Sequence, residues 1–324
     1  MKRREFIVGL AGGVVWPLAA QSQTLVKPVI GFLNSGESTL PVRDPFRRGL
    51  GELGLIEGRD LNIEYRFAEG HYDQLESLAT DLVRQQVSVI GAFGGVHTAI
   101  AAKAATASIP IVFSNGSDPV RFGLVASLNR PGGNLTGISF LTTDLESKRL
   151  GLLHELVSKA KSFAVLVNPR NANAENQLKI IRDGSRDLGR DLHVISASSE
   201  VEFNAAFAAI ARTQAGGLLV AADPLFFSQR RRLVTLSAEY SIPTIYDFRQ
   251  YAEHGGLASY GTDLADAYRH AGIYVARILK GEQPADLPVM QSAKFEFVIN
   301  LKTAKSLALE IPPTLLARTD EVIE

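Results

Sequence analysis

The sequence contains no cysteine. It therefore has no disulfide bond, no thiolate metal site, no cysteine nucleophile and no cysteine that could carry a lipid anchor. It also has no excess of charge, because 34 Lys and Arg residues balance 34 Asp and Glu residues. This balance excludes a strongly basic nucleic-acid-binding protein and a protein dominated by a polyacidic tail.

Motifs of the common enzyme classes are missing as well. No G-x-G-x-x-G follows a strand, and there is no G-x-S-x-G nucleophile elbow. Gly31 and Gly36 have the spacing of a phosphate loop, but Glu37 follows them where a lysine is needed to hold phosphate. The six histidines form no H-x-H or H-x-x-x-H pair. We therefore expect no metal, no cofactor and no catalytic site.

The first 23 residues have the pattern of an export signal. A basic start at residues 2–4 precedes an apolar stretch at 6–16, and the sequence RREFI at 3–7 resembles the twin-arginine signature of proteins exported already folded. The apolar stretch is about half of the roughly 20 residues that span a bilayer, which disfavours an uncleaved anchor. We expect a signal over residues 1–23 and a periplasmic protein without a lipid anchor.

Short apolar runs alternate with helical stripes along the rest of the chain. The run from Val29 to Leu33 leads into Asn34, which is typical of a buried parallel strand entering a loop. The pattern restarts at Phe163, 134 residues after Val29. A chain of 324 residues also exceeds the usual size of one core. The sequence predicts an α/β protein of two lobes, each with a doubly wound parallel sheet.

The C-terminal part indicates how the lobes are connected. An amphipathic helix at 263–279 is followed by an extended segment at 284–288 and an alternating strand at 295–300. A chain that completes two lobes and then adds these elements crosses between the lobes repeatedly, and several crossings form a hinge. We assign residues 28–140 and about 262–286 to the N-terminal lobe, and residues 141–261 and about 289–324 to the C-terminal lobe.

Candidate ligand-binding residues lie where the predicted strands end. Ligands of open parallel sheets bind beyond the carboxyl ends of the strands, and a hinge would place two sets of strand ends at one cleft. The loops there are rich in residues that hydrogen-bond a small zwitterion, although single residues of these types also form ordinary turns. The candidates are Asn34, Ser35, Phe93, Gly94, Gly95, Ser114, Asn115, Asp118, Asn168, Asp223, Tyr246, Ser259 and Tyr260.

Three residues near these loops leave two interpretations open. Asp118 and Asp223 each precede proline, so they either face each other across the cleft as an acid–base pair or cap a turn and a helix. His97 either contacts a ligand or lies in solvent at the start of a helix. An enzyme on this scaffold would need such a pair, and no other motif supports one.

Longer segments carry a specific resemblance to a known family. They include FRRGL at 46–50, NRPGGNLTG at 129–137, GGL at 255–257 with SYG at 259–261, and VINLKTAK at 298–305. Over residues 29–324 the chain resembles the tryptophan/tyrosine-type substrate-binding proteins of bacterial ABC importers, which have the type I periplasmic-binding fold.

This resemblance implies a receptor that closes its hinge around a solute and is recognised by a membrane permease. The expected partners are a small molecule, with an aromatic amino acid favoured over a related carboxylate, and the permease and ATPase subunits. A monomer that binds no nucleic acid is expected. The alternative is a sensor subunit of a membrane signalling receptor, followed by an enzyme on the same scaffold.

For an amino acid ligand, the resemblance implies donors for the carboxylate and an acidic side chain for the ammonium group. Aromatic rings would flank the ligand's side chain. The assignments are Ser114, Asn115 and the Gly94–Gly95 backbone for the carboxylate, Asp223 and then Asp118 for the ammonium, Tyr246, Tyr260 and Phe93 for the aromatic group, and Asn34, Ser35 and Asn168 for the remaining polar contacts.

Overall fold

The computed structural model describes residues 27–38, 41–140, 142–292 and 294–324. The predicted export signal lies outside the described residues. Within them, no helix is long and apolar enough to cross a membrane.

The described chain alternates strands and helices, as the sequence predicts. The strands are β1 (Val29–Asn34), β2 (Asn62–Phe67), β3 (Val89–Phe93), β4 (Ile111–Asn115), β5 (Leu135–Ser139), β6 (Ser162–Val167), β7 (Asp191–Ser196), β8 (Leu218–Val220), β9 (Thr244–Tyr246), β10 (Ala258–Thr262), β11 (Met290–Gln291), β12 (Phe295–Asn300) and β13 (Glu321–Ile323). The helices are α1 (Arg43–Glu52), α2 (Leu75–Arg84), α3 (Val96–Ala105), α4 (Glu146–Leu156), α5 (Ala174–Asp187), α6 (Phe203–Thr213), α7 (Pro224–Ser228), α8 (Arg230–Glu239), α9 (Arg249–Glu253), α10 (Leu264–Leu279), α11 (Leu301–Ser306) and α12 (Pro313–Leu316).

The strands form two sheets, one in each lobe. The first has the order β11-β5-β4-β3-β1-β2, and the second has the order β13-β12-β10-β9-β8-β6-β7. Neighbouring strands in both sheets run parallel except for β10 and β12, which are antiparallel. The predicted class, an α/β protein with two mainly parallel sheets, is confirmed.

The inner strands of each sheet are buried on both faces because they are apolar on both faces. In β1, Ile30 and Phe32 pack on the side of α1 and α10, whereas Leu33 packs on the opposite side with α2 and α3. In β6, Leu166 packs on the side of α6 and α8, and Val165 packs on the side of α4 and α5. Period-two alternation of apolar side chains thus supplies a core on either side of each strand.

The chain crosses between the lobes after β5, between β10 and α10, and between β11 and β12. Because Met290–Gln291 pairs with β5 in the first sheet, the last crossing comes later than the boundary near residue 289 that the sequence predicts. The crossings are tied to one another. The Thr262 hydroxyl donates to the Phe140 carbonyl at 2.8 Å, and Lys294 Nζ lies 2.6 Å from an Asp263 carboxylate oxygen.

Helices α1 and α10 pack at a point where both carry glycine. A Cβ atom at Gly49 would lie 1.9 Å from the Arg269 carbonyl oxygen, and one at Gly272 would lie 2.1 Å from the Phe46 carbonyl oxygen. Real Cβ atoms do not approach backbone this closely, so the two helix axes can keep this separation only with glycine at both positions.

We predict that Gly49→Ala lowers the free energy of unfolding by about 1–3 kcal/mol, because the added methyl group forces α1 away from α10. Gly51→Ala is the matched control in the same helix, since a Cβ at Gly51 has no atom within 4 Å. It should stabilise the protein by about 0.5–1 kcal/mol through lower unfolded-state entropy. Urea unfolding measures both changes, and equal effects of the two variants would contradict this packing.

Candidate functional site

The carboxyl ends of both sheets face one cavity between the lobes. Its volume is about 90 Å³. A water molecule needs about 10–15 Å³ on the same measure, so the cavity has room for several water-sized groups. Its lining comes from the first lobe (including Asn34, Gly94, Gly95, Gly116, Ser117 and Tyr268), from the first crossing (Thr142 and Thr143) and from the second lobe (including Asn171, Asn173, Gln177, Asp223 and Asp247).

Apolar side chains form a large part of the wall, and four of them are aromatic. Phe227 is the fourth residue of α7, Phe248 immediately precedes α9, and their rings lie edge to face with centroids 5.1 Å apart. Across the cleft, Tyr268 on α10 accepts a hydrogen bond from Asn34 Nδ2 at 3.2 Å. The apolar lining residues are Val42, Val96, Phe140, Ala222, Pro224, Phe227, Phe248, Leu264 and Tyr268.

Asp247 places an ionisable carboxyl group in the cavity wall. It follows β9 directly and is 3% exposed. Burial raises its pKa to about 7, while the positive charge of Arg149 acts in the opposite direction. Gly261 on β10 makes room for this segment, because a Cβ there would lie 1.8 Å from the Asp247 carbonyl oxygen. Among the described residues, Asp247 has no ion-pair partner within 4 Å.

Glu146 and Arg149 form a buried ion pair behind the wall. Both side chains are 0% exposed, and the closest charged atoms are 2.9 Å apart. Arg149 also donates to the carbonyls of Thr142, at 2.8 Å, and of Tyr260, at 3.2 Å, and so ties the first crossing to β10. Because the charges of Glu146 and Arg149 cancel, this pair leaves no net positive charge to balance the carboxyl group of Asp247.

Asp223 is held by donors from several elements. As the N-cap of α7, its Oδ1 accepts from the Leu225 amide at 2.9 Å, and Asn168 Nδ2 donates to the same oxygen at 3.1 Å. Its Oδ2 accepts from Asn171 Nδ2 at 2.8 Å and from the Tyr72 hydroxyl at 3.1 Å. Burial raises the pKa of Asp223 although these hydrogen bonds act in the opposite direction. Both carboxylate oxygens are therefore already occupied.

Four of the sequence-predicted residues line the cavity: Asn34, Gly94, Gly95 and Asp223. Gly95 has φ +119°, and a Cβ there would lie 2.9 Å from the Pro224 ring, so glycine is required both by the backbone conformation and by the approach of the second lobe. His97, considered as either a ligand contact or a solvent-exposed residue, lines the cavity and is half-buried.

The other predicted residues are not part of the lining, namely Ser35, Phe93, Ser114, Asn115, Asp118, Asn168, Tyr246, Ser259 and Tyr260. Ser35 and Asn168 support the site from behind, since they bond to Gly94 and Asp223. Asp118 is exposed and accepts a hydrogen bond from the Val120 amide at 2.9 Å. This contact agrees with the interpretation in which Asp118 caps a turn. The structure therefore does not bring it together with Asp223 as an acid–base pair.

The aromatic rings that the sequence predicts at the cleft pack inside the lobes instead. Tyr246 is fully buried, stacks on Tyr251 with centroids 4.3 Å apart, and its hydroxyl lies 2.8 Å from that of Ser237. Tyr260 packs against the rings of β12, and Phe93 is buried in the core of the first lobe. Two of the lining rings, Phe227 and Tyr268, lie on helices, for which the ends of the strands are no guide, whereas Phe140 and Phe248 follow β5 and β9.

The described residues that line the cavity include no lysine or arginine. No group of three or more His, Asp or Glu side chains in the described chain could hold a metal ion. The cleft thus presents carboxyl groups, neutral hydrogen-bonding groups and aromatic rings. This chemistry suits a small molecule that carries a positive charge and an apolar group.

A model of the ABC transporter substrate binding protein family matches residues 28–323. The chain belongs to this family. It is a substrate-binding protein of an ABC transporter, acts outside the cytoplasm, binds a small molecule and is not an enzyme, as the sequence predicts. A "Tyrosine-binding protein" of Clostridioides difficile is 29% identical over 266 residues, which are 82% of this chain and 76% of that protein.

Solved structures are similar over almost the whole substrate-binding protein. An ABC domain from Streptococcus pneumonia in complex with L-Trp has a TM-score of 0.82 at 23% identity and covers 92% of this chain and 100% of its own. A ligand-free, open substrate-binding protein from Clostridium difficile has a TM-score of 0.65 at 26% identity, with coverage of 92% and 99%. More distant sugar-binding proteins share the type I two-lobed fold.

We predict that Arg149→Met lowers the free energy of unfolding by about 3–5 kcal/mol, because Glu146 then remains buried as an unpaired charge. The double variant Glu146→Gln/Arg149→Met should recover at least half of this loss. Chemical denaturation of the single and double variants measures both effects. A double variant that is no more stable than Arg149→Met would contradict the electrostatic explanation.

The matched control is Arg186→Met, which breaks a pair with Asp183 at the same spacing along a helix. The Arg186 side chain is 76% exposed and that of Asp183 is 46% exposed. Exposed pairs contribute about 0–1 kcal/mol, so this variant should be close to the wild type in stability.

Proposed function

We propose that this substrate-binding protein captures an aromatic amino acid between its lobes and delivers it to an ABC permease and its ATPase. The observation that supports this most strongly is the buried carboxyl group of Asp247, which has no ion-pair partner among the described residues, in a wall that also carries Phe227 and Phe248. An ammonium group beside Asp247 would offset its burial, and the rings would pack on the aromatic side chain.

We assign the ammonium group to Asp247 in preference to Asp223. The oxygens of Asp223 already accept from the N-terminus of α7, from Asn168 and Asn171, and from Tyr72. A further cation there would have to displace one of these donors. Asp247 offers its charge without such a loss.

The ligand carboxylate is assigned to neutral donors at the ends of β3 and β4. The Gly94–Gly95 loop precedes the first turn of α3, where the helix dipole favours negative charge. At the end of β4, Gly116 and Ser117 belong to the lining, and Asn115 behind them has a buried Nδ2 with no hydrogen-bond partner among the described residues. Without a lysine or arginine in the described lining, such a site favours a zwitterion over a purely anionic carboxylate.

Several properties of the transport protein are part of this proposal. The relatives that are named for tyrosine or solved with L-Trp support an aromatic amino acid as the ligand. We infer periplasmic export through the twin-arginine-like segment at 1–23, no lipid anchor because cysteine is absent, and a monomeric protein. The lobes are proposed to follow the division at residues 140–141, with residues from about 262 returning to the first lobe.

We predict that L-tryptophan or L-tyrosine raises the melting temperature of the protein, because a ligand that binds only the folded state stabilises it by mass action. The single tryptophan of the chain is Trp16, so a protein that starts at residue 27 contains none. Fluorescence of bound L-tryptophan can then be followed without a protein background. The absence of stabilisation by every aromatic amino acid would contradict the proposal.

Asp247→Asn should raise the Kd of that amino acid about 100-fold, because the ammonium group loses a buried counter-charge. Asp118→Asn is the matched control. It removes the same charge from an exposed turn and should leave the Kd unchanged. Titration calorimetry on both variants tests the assignment, and a wild-type Kd for Asp247→Asn would refute it.

A further inference from the structure

Beyond the ligand contacts, the two lobes touch through a pair of side chains at the cleft mouth. Tyr72 and His97 belong to the first lobe and stack with ring centroids 4.6 Å apart and an interplanar angle of 20°. The Tyr72 hydroxyl donates to Asp223 of the second lobe at 3.1 Å. His97 Nε2 accepts from the Ala172 amide of the second lobe at 3.0 Å.

These two hydrogen bonds exist only while the lobes are closed. The Tyr72 and His97 donor and acceptor atoms lie on the first lobe, and their partners lie on loops after β6 and β8 of the second. Opening the hinge separates both pairs. The contacts therefore favour the closed form independently of which ligand is bound.

The acceptor role of His97 depends on its charge. A neutral imidazole has one nitrogen with a free lone pair, whereas a protonated imidazole has two N–H donors and cannot accept from Ala172. We propose that Tyr72 and His97 form an interlobe latch that holds the closed, ligand-bound form and is released when His97 takes up a proton. This inference concerns the regulation of the proposed binding function and rests on it.

The surroundings of His97 support a neutral ring in the closed form. Burial lowers its pKa, the Arg170 carbonyl acts in the opposite direction, and the positive charge of the Arg170 side chain lowers it further. Tyr72, stacked on the ring, stays protonated because burial and Asp223 raise its pKa. The titratable and charged groups that face His97 are thus Tyr72, Arg170 and, through Tyr72, Asp223.

The direction of the pH effect follows from linkage. The closed form binds fewer protons at His97 than an open form in which the ring is solvated, with an ordinary pKa of about 6.5. The affinity for the ligand should therefore be highest above about pH 6.5 and should fall as the pH decreases below it. Protonation of Asp247, with a pKa of about 7 in the closed cleft, also weakens binding of an ammonium ligand in acid. A variant that changes only His97 separates the two effects.

The experiment measures the Kd of L-tryptophan at about pH 7.5 and about pH 5.5 for the wild type and for His97→Gln, since glutamine accepts a hydrogen bond at either pH. We expect the acid-induced increase in Kd to be about tenfold larger in the wild type than in His97→Gln. His71→Gln, an exposed histidine on the same lobe, is the control and should retain the wild-type profile. Identical profiles for wild type and His97→Gln would overturn the latch.

Tyr72→Phe tests the other half of the latch. It keeps the stacked ring but removes the bond to Asp223, so it should raise the Kd about fivefold at both pH values without changing their ratio. An unchanged Kd would show that this contact does not hold the closed form.

Failure of the latch can be distinguished from failure of the proposed function. If no aromatic amino acid binds at any pH, the proposed function fails, and the latch is then decided without ligand. Because the chain has no cysteine, one cysteine can be introduced and labelled on each lobe to measure closure by energy transfer. Without ligand, protonation of the buried Asp247 favours closure in both proteins. The latch is therefore supported if acidification from about pH 7.5 to about pH 5.5 lowers the closed fraction of the wild type relative to that of His97→Gln. Any other result overturns it.

Discussion

A carboxyl group buried without a cation is the constraint on which this cleft depends. Asp247 is almost fully enclosed, and the nearby ion pair of Glu146 and Arg149 is already neutral. Burying an unpaired charge is costly, so in the closed protein the group either takes up a proton or is paired with a positive charge. In the proposed function, the ammonium group of the ligand supplies that charge, and Asp247 links closure to ligand recognition.

The hinge and the cleft are built from the same short segments. Arg149 joins the first crossing to β10, Thr262 bonds back to Phe140, and Asp263 pairs with Lys294 on the last crossing. Thr142 and Thr143 of the first crossing also line the cavity. The cavity wall and the crossing segments are thus joined through directly bonded residues, which is the arrangement that a receptor closing around its ligand requires.

The two lobes and their parallel sheets could be predicted because buried strands are continuous apolar runs and the βα pattern occurs twice. The site could be predicted only in part. Asn34, Gly94, Gly95 and Asp223 lie at or just after the ends of strands and line the cavity, but the sequence prediction includes Tyr246 and omits Asp247, which follows it and lines the cavity. Neighbouring residues in extended chain point to opposite sides, so the ring of Tyr246 enters the lobe. The lining rings of Phe227 and Tyr268 lie on helices, where no local pattern marks them.

The most direct test combines the variant Asp247→Asn with a ligand that lacks the ammonium group, such as indole-3-propionate in place of L-tryptophan. Four Kd values form a thermodynamic cycle that isolates the interaction between the two charged groups. The account predicts that removing the ammonium group weakens binding strongly in the wild type and only slightly in Asp247→Asn. Equal losses in both proteins would show that the ammonium group does not bind at Asp247 and would contradict the account.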